Sequence, residues 1–309
     1  MKKQITLLAL IITTSILNAQ SIYSKAYGDP NHEPIIYLHG GPGYNSMGFE
    51  ITTAQKLSES EFYVIIYDRR GEGRSPDKKA AFTFQETFDD LDGIYKKFKL
   101  KSATLIGHSF GGIVGTLYTE QHPKKVKTLV LLAAPLDMQE TFSTIIKTSK
   151  SIYENKKDST NLTYIGMLEK MDRTSIAYSS YCFGHAMQNG FYTPKSPTKE
   201  ALAIYEKLKT DTSFASKGAV MTIEAPKGFW KNENYTSINL TEQLKEITKN
   251  DIAIFGLYGT EDGLYSEEQL MKLKNMMATT NFKYIENCSH NVFIDQQVQF
   301  INTLKTWIK

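Results

Sequence analysis

A serine stands in the segment 107–112, which reads GHSFGG and contains the pattern G-x-S-x-G. A pattern typical of a buried strand precedes Ser109 and a helical pattern follows it, which is the setting that a nucleophilic serine on a tight turn requires. Glycines on both sides leave space for that turn, and the start of the helix favours negative charge beside the hydroxyl. Ser109 is therefore the predicted nucleophile of a hydrolytic reaction.

That serine needs a base, because its hydroxyl is a poor nucleophile until another group accepts its proton. His290 follows the last predicted strand and is the only histidine after residue 185. Asp262 follows the strand before it, so the order along the chain is serine, acid, histidine, as this setting leads us to expect. We predict that Asp262 holds the imidazole of His290 in the correct tautomer and stabilises its charged form.

Two other carboxylates could take the place of Asp262. Glu261 is its direct neighbour and is the obvious replacement acid. Asp295 is a weaker alternative, because it follows His290 and is expected to cap the last helix. Both alternatives leave His290 as the base.

A second glycine-rich segment, 39–43, reads HGGPG and follows the first strongly apolar strand pattern. Glycines there allow backbone N–H groups to approach a reacting carbonyl closely. The expected oxyanion donors are the N–H groups of Gly41 and of Phe110, the residue after the nucleophile. The alternative interpretation is a glycine-rich turn with no role in the reaction.

Strands that alternate with helices must position these residues, and the alternation predicts βαβ units in a mostly parallel sheet with helices on both faces. Strands are predicted at Pro34–His39, Phe62–Tyr67, Ala103–His108, Val126–Ala133, Asp251–Tyr258 and Asn281–Glu286, with a further edge strand at Ser21–Tyr27. Helices are predicted at Phe110–Gln121, Ser266–Met277 and Asp295–Ile308, the last with an apolar stripe at Val298, Ile301, Leu304 and Ile308.

Between residues 136 and 248 the alternation stops and helical patterns take over. Asp137 and Thr198 are placed to cap two of these helices. We interpret residues 136–248 as a helical cap inserted into a core domain made of residues 21–135 and 249–309.

At these residues the chain resembles the proline iminopeptidase branch of the α/β hydrolases. The segments 39–43 and 107–112 match that branch, as does 68–75, which reads DRRGEGRS. The resemblance implies the α/β-hydrolase fold and a serine hydrolase that is most similar to an aminopeptidase acting on short peptides or aminoacyl amides. It also implies that residues 68–75 build the loop behind the site.

The resemblance further implies that glutamates of the cap bind the free amine of the substrate. Gln188, in the segment 186–192, stands where one such glutamate is expected, and an amide brings no charge to oppose an ammonium. Glu154, Glu169 and Glu224 are the other candidates for amine binding, and each is also compatible with a simple surface position. A hydrolase of small esters, similar to carboxylesterases or lipases, is therefore the alternative function, followed by a non-catalytic ligand-binding protein.

The first twenty residues have the layout of a secretory signal peptide. Lys2 and Lys3 precede a short apolar run, and small residues follow it near Ala19. Residues 1–20 are therefore predicted to be removed on export to the periplasm or the medium, without stable membrane insertion afterwards. An uncleaved anchor is the alternative.

Composition limits the partners of the protein. The formal net charge is +3, and +1 once Lys2 and Lys3 of the predicted signal peptide are removed, which gives no electrostatic reason to expect nucleic acid. The expected partner is a small-molecule or short-peptide substrate. The sequence carries no zinc, P-loop or dinucleotide pattern, and neither a metal nor a cofactor is expected. Cys182 and Cys288 could pair in an oxidising compartment or remain two separate buried thiols. The oligomeric state is not predicted.

Overall fold

The fold is taken from a computed structural model that describes residues 22–308. The predicted signal peptide lies outside these described residues. Within them, no helix combines the length and the apolar character needed to span a membrane.

A seven-stranded sheet forms the centre of the described chain. Its strands are β1 (Ser24–Tyr27), β2 (Glu33–Leu38), β3 (Phe62–Tyr67), β4 (Ala103–His108), β5 (Val126–Leu132), β6 (Ala253–Gly259) and β7 (Phe282–Ile285). They lie in the order β1-β3-β2-β4-β5-β6-β7. Only β1 runs antiparallel to its neighbour, so the prediction of a mostly parallel sheet with a possible edge strand at the start is confirmed.

Helices connect these strands and cover both faces of the sheet. Before β5 they are α1 (Met47–Phe49), α2 (Gln55–Ser58), α3 (Phe84–Lys97) and α4 (Phe110–Gln121). Between β5 and β6 they are α5 (Met138–Lys156), α6 (Ser159–Leu168), α7 (Ile176–Gln188), α8 (Lys199–Thr210), α9 (Glu224–Glu233) and α10 (Thr241–Lys249). After β6 come α11 (Glu267–Lys274), α12 (Val292–Asp295) and α13 (Gln297–Trp307).

The sheet is buried on both faces, as parallel sheets require. Side chains alternate along each strand, so Ile36 and Leu38 pack with α3 and α4 while Ile35 and Tyr37 pack on the opposite side. Every residue of β3 and β4 is buried. This explains why apolar residues dominate these two strands and why the sequence predicts both sets of bounds correctly.

The helical insertion, residues 138–238, leaves and rejoins the sheet layer at one place. The N–H of Met138 donates to the carbonyl of Ile238 at 3.0 Å, and the N–H of Leu240 donates to that of Leu136 at 2.8 Å. Asp137 caps α5 by accepting from two backbone N–H groups of its first turn. The predicted cap of residues 136–248 also includes α10, but α10 packs on α4 of the sheet layer. The division into a core and a cap remains a prediction.

The end of the chain differs from its prediction. One helix was expected over Asp295–Ile308, but α12 and α13 are separated at Gln296, whose φ of −138° and ψ of 55° are not helical. Leu304 and Ile308 of the predicted stripe are buried, but Val298 is 67% exposed and Phe300 is fully buried instead. Phe300 lies four residues before Leu304 and shares its face of α13, whereas Val298 lies six residues before it and does not. Asp295 closes α12 rather than capping the last helix.

Candidate active site

Ser109 lies on the turn between β4 and α4, with φ of 53° and ψ of −122°. A positive φ is uncommon for a residue with a side chain and persists only where the surroundings impose it. Here the N–H of Ser109 donates to the carbonyl of Leu132 at 3.0 Å, and its own carbonyl accepts from Gly112 at 2.8 Å. The turn thus presents the hydroxyl beyond the carboxyl end of the strand.

The glycines around this turn are needed for close packing. A Cβ on Gly107 would lie 2.5 Å from the carbonyl oxygen of Gly111, and one on Gly111 would lie 2.1 Å from that of Leu38. Real side chains do not approach backbone oxygens so closely. The glycines let α4 start directly against β2 and β4.

Asp262 and His290 meet on the loops that follow β6 and β7. Asp262 Oδ2 lies 2.9 Å from His290 Nδ1, and both residues are buried. The other carboxylate oxygen of Asp262 accepts the N–H of Leu264 at 3.1 Å. The carboxylate is therefore held from both sides and directs the Nε2 edge of the imidazole away from itself.

Glu261, the alternative acid, has a different partner. Its Oε2 accepts the backbone N–H of Lys195 at 2.6 Å. The structure thus brings Asp262, and not Glu261, to the imidazole of His290.

Ser109 and His290 both have Tyr265 as a neighbour, since Tyr265 lines the cavity of Ser109 and its ring centroid lies 6.2 Å from that of His290. Among residues 22–308, the hydrogen bonds of Ser109 include none with His290, and such contacts often tighten only when substrate binds. Tyr265 lies beside Ser109 and donates its hydroxyl to the carbonyl of Ala133 at 2.8 Å. Burial raises the pKa of Tyr265 well above its usual value, so it stays a neutral phenol.

The loop that carries His290 is held by a third carboxylate, Asp295. Its Oδ2 accepts the N–H of Ser289 at 2.8 Å, and its Oδ1 accepts the hydroxyl of Tyr205, on α8, at 2.6 Å. Burial raises the pKa of Asp295 to about 6. The sequence suggested Asp295 only as a weaker replacement acid, because it follows His290. Its contact with α8 crosses a long stretch of chain and leaves no local sequence pattern.

His108 contacts the same loop from β4. Its Nε2 lies 3.1 Å from the carbonyl oxygen of His290. Burial, together with the nearby His290 ring, lowers the pKa of His108 to about 3, so it is neutral at physiological pH. A neutral ring can donate one hydrogen bond to that carbonyl without adding charge beside the base.

Gly41 and Phe110 border the same cavity as Ser109. Gly41 has a φ of 119°, which favours glycine, and Phe110 is the first residue of α4, where backbone N–H groups lack helical partners. Neither N–H donates a hydrogen bond to another residue in the range 22–308. Both are thus available to bind a negatively charged oxygen.

The cavity is small, with a volume of about 20 Å³, and mostly apolar. Its lining residues are Gly41, Ser109, Phe110, Ile113, Pro135, Met138, Thr141, Phe183, Tyr235, Leu264 and Tyr265. None of these lining residues, all of them within 22–308, carries a charge. Of the aromatic residues of the predicted cap, Phe183 and Tyr235 thus line the cavity, while Tyr178 is part of the core.

The residues suggested for amine binding lie elsewhere. Glu154 and Glu169 border a separate surface groove, where Lys150 Nζ lies 2.8 Å from a carboxylate oxygen of Glu169. Gln188 is exposed and accepts from the hydroxyl of Tyr153 at 3.3 Å. Glu224 is also exposed, in the first turn of α9.

Of these four, Glu224 is linked to the segment 39–43 by a nearby backbone hydrogen bond. The N–H of Thr222, two residues before it, donates to the carbonyl of Gly43 at 2.9 Å. Glu224 therefore stands near the segment that contains Gly41.

The two cysteines are separate in this structure. Cys182 and Cys288 are both buried and free. Burial raises the pKa of Cys182 to about 12, so its thiol stays protonated.

Comparison with known proteins agrees with this architecture. The sequence profile of the alpha/beta hydrolase fold matches residues 33–297. The chain belongs to the α/β-hydrolase fold family. The match extends from β2 into α13 and includes Ser109, Asp262 and His290.

Among curated relatives of this α/β hydrolase is a proline iminopeptidase from Lactobacillus acidophilus. The two are 24% identical over 285 residues, which cover 89% of each chain. The resemblance to the proline iminopeptidase branch is thus confirmed over most of the chain.

Two solved structures show the same fold. A proline iminopeptidase-related protein from Thermus thermophilus has a TM-score of 0.65 at 18% identity, covering 92% of each chain. An esterase from Exiguobacterium antarcticum has a TM-score of 0.59 at 19% identity, covering 93% of this chain and 95% of the esterase.

Proposed function

We propose that this α/β hydrolase is a serine hydrolase that forms an acyl-enzyme on Ser109 and acts on small esters with an uncharged, apolar acyl group. The observation that carries the proposal is the uncharged cavity that Ser109, Gly41 and Phe110 share. The family and the curated relatives support the broader class, a hydrolase.

In the proposed reaction, the hydroxyl of Ser109 attacks the carbonyl carbon and His290 accepts its proton. The oxyanion that forms accepts hydrogen bonds from the N–H groups of Gly41 and Phe110. His290, stabilised in its charged form by Asp262, then protonates the leaving alcohol. Water, deprotonated by His290, attacks the acyl-enzyme and releases the acid.

The lining of the cavity supports an uncharged acyl group. Met138, Phe183 and Leu264 offer apolar contact. An ammonium in the same space would lose its hydration without a carboxylate beside it, and burying an unpaired charge carries a large energetic penalty. An ester of a short apolar acid meets no such penalty.

An aminopeptidase similar to the proline iminopeptidases is the second candidate. Two observations favour it. The chain is similar over 89% of its length to a relative of that name, and Glu224 lies near the segment 39–43 that contains Gly41. In this case the amine of the substrate would bind beside Glu224.

One experiment separates the two candidates. Short acyl esters are compared with Pro-, Ala- and Leu-linked fluorogenic amides, using the wild type, Ser109→Ala and Glu224→Gln. Hydrolysis of esters alone, lost in Ser109→Ala, supports the ester hydrolase. Amide hydrolysis that disappears on N-acetylation of the substrate and weakens in Glu224→Gln supports the aminopeptidase instead.

Labelling with a fluorophosphonate tests the shared mechanism. The wild type should be labelled at Ser109 and Ser109→Ala should not. A folded wild type that resists labelling and hydrolyses neither class would contradict an acyl-enzyme and favour a ligand-binding protein.

A further inference from the structure

We infer that the buried ion pair of Arg69 and Glu72 positions the oxyanion hole by holding the backbone on both sides of Gly41. Arg69 and Glu72 are positioning residues in this inference, which rests on the proposed acyl-enzyme function. Neither touches the reacting atoms, and both belong to the segment 68–75, which the sequence analysis placed behind the site.

Arg69 binds the carbonyls that precede Gly41. Its Nη1 donates to the carbonyl of His39 at 2.6 Å, and its Nη2 donates to that of Gly40 at 2.7 Å. The backbone N–H of Arg69 also donates to His39 Nε2 at 3.1 Å. One residue thus fixes the chain between β2 and Gly41 at three points.

The bond to Gly40 determines where the Gly41 N–H points. The peptide between Gly40 and Gly41 is trans, since the only cis bond of the described residues joins Gly41 to Pro42. In a trans peptide the carbonyl and the following N–H are coplanar and point in opposite directions. Holding the Gly40 carbonyl against Arg69 therefore directs the Gly41 N–H away from the guanidinium.

Glu72 fixes the chain on the other side of Gly41. Its Oε2 accepts the N–H of Gly43 at 3.0 Å. The same carboxylate accepts from Arg69, with Oε1 3.0 Å from Nε and Oε2 2.8 Å from Nη2. The planar fork of an arginine matches a carboxylate in this way, and a lysine cannot reproduce it.

The pair also reaches the second oxyanion residue. The guanidinium carbon of Arg69 lies 5.2 Å from the centroid of the Phe110 ring, and a Cβ on Gly41 would lie 3.2 Å from Arg69 Nη2. Arg69 is 2% exposed and Glu72 is 1% exposed. A buried ion pair is weak support for stability, whereas its bonds to residues 39, 40 and 43 give it a positional role.

The neighbouring arginine provides a matched control. Arg70 pairs with Asp77 at 2.9 Å and with Asp90 at 2.5 Å. In the range 22–308 it forms no hydrogen bond with residues 39–43. Arg70→Gln should therefore leave the oxyanion hole unchanged.

Two variants test the inference. Arg69→Gln combined with Glu72→Gln removes both charges, so no unpaired charge is left buried. Arg69→Lys keeps the charge but loses the fork. We expect kcat to fall by about 10- to 100-fold in both, somewhat less than for outright removal of an oxyanion donor, while KM changes by less than about threefold because substrate binding in the ground state does not use the oxyanion hole.

Hydrogen–deuterium exchange of the peptide covering residues 39–46 adds a readout independent of activity. It should rise in both Arg69 variants and stay at the wild-type level in Arg70→Gln. Wild-type kcat in the double variant, or unchanged exchange in this peptide, would overturn the inference. Activity that survives in Ser109→Ala would instead refute the proposed function. The exchange data would still show whether Arg69 holds the backbone around Gly41.

Discussion

At the scale of single residues, the site depends on side chains whose chemistry changes with burial. Asp262 and His290 bond to each other where water has little access, and the electrostatic interaction between them is therefore stronger than it would be in solvent. In the proposed reaction, Asp262 stabilises the charged imidazole that forms when Ser109 gives up its proton. The same burial keeps His108 neutral, so that positive charge does not accumulate next to the base.

Replacing each of the two adjacent acids, Asp262 and Glu261, by its amide should show which one orients the imidazole of His290. Asp262→Asn should lower kcat by about 10⁴-fold, because an amide favours the wrong tautomer of His290. Glu261→Gln, the matched control, should change kcat by less than about threefold, since its carboxylate binds the backbone of Lys195. Steady-state kinetics on the best ester measures both. A severe loss of kcat in Glu261→Gln, together with an active Asp262→Asn, would show that Glu261 orients the imidazole instead.

The pH dependence of stability should contain a contribution from His108. Between pH 6.5 and 3 the unfolded chain binds a proton at His108 that the folded protein does not, because burial lowers the pKa to about 3. The free energy of unfolding should therefore fall as the pH falls, by about 1.4 kcal/mol per pH unit for this group.

Urea unfolding of the wild type and of His108→Gln between pH 6 and 4 tests this contribution. The variant should show a slope smaller by about 1.4 kcal/mol per pH unit, since glutamine does not titrate. Parallel curves for the two proteins would mean that His108 is protonated in the fold. His39, whose pKa burial also lowers, contributes equally to both proteins.

Single residues were predictable where their position follows from the strands. Ser109, Asp262 and His290 each follow a strand pattern, and parallel strands bring such positions to one edge of the sheet. Arg69 and Asp295 could not be found in this way. Their roles arise from hydrogen bonds to a distant segment, such as that from Tyr205 to Asp295, which leave no pattern in the local sequence.

At the scale of elements, Asp295 links α8 of the helical insertion to the loop of His290. The hydroxyl of Tyr205 donates to Asp295 on one side and the N–H of Ser289 donates on the other. These two bonds favour the charged carboxylate, whereas burial disfavours it and raises its pKa to about 6. Asp295 therefore binds its proton more tightly in the folded protein than in the unfolded chain. Its contribution to the free energy of unfolding is present at low pH and is lost as the pH rises from about 4 to 6.

Removing the hydroxyl of Tyr205 should weaken this link. Tyr205→Phe should lower the free energy of unfolding by about 1.5–3 kcal/mol at pH 7.5, where Asp295 is charged. The loss should be smaller at pH 4.5, where the carboxyl is protonated. Denaturant unfolding at both pH values measures it.

Tyr164→Phe is the matched control for Tyr205→Phe. Tyr164 lies on α6 and is 54% exposed, so its variant should stay within about 0.5 kcal/mol of the wild type. An equal loss for Tyr205→Phe at both pH values would show that the hydroxyl does not bind a charged carboxylate.

Elements were predictable where one local rule decides them. Thr198 and Ser266 accept from the first turns of α8 and α11, and fully buried strands carry continuous apolar runs. The break at Gln296 has no such signal, because neither glycine nor proline marks it. The assignment of Val298 to the buried face was also wrong, because within α13 it is Phe300, four residues before Leu304, that shares the buried face.

At the scale of the whole molecule, the helical insertion supplies part of the wall around Ser109. Met138, Thr141 and Phe183 come from α5 and α7, while Ile113 and Leu264 come from the sheet layer. Both parts of the chain must therefore come together before the cavity exists.

Export of the protein is a prediction about the whole chain. Mass spectrometry of the protein recovered from outside the cytoplasm should give an N-terminus near Gln20 or Ser21, because residues 1–20 have the layout of a cleaved leader. An intact Met1 on a membrane-bound protein would show an anchor instead. The cytoplasmic fraction of the same cells serves as the control.

The paired backbone bonds at the base of the helical insertion have a consequence for how such enzymes diversify. Met138 bonds to Ile238 and Leu136 bonds to Leu240, so the chain returns to the point at which it left. Closing the main chain between these two points requires little extra length, since their ends are already adjacent. We therefore expect that residues 138–238 can be replaced by a shorter or different segment while β5 and β6 keep their register.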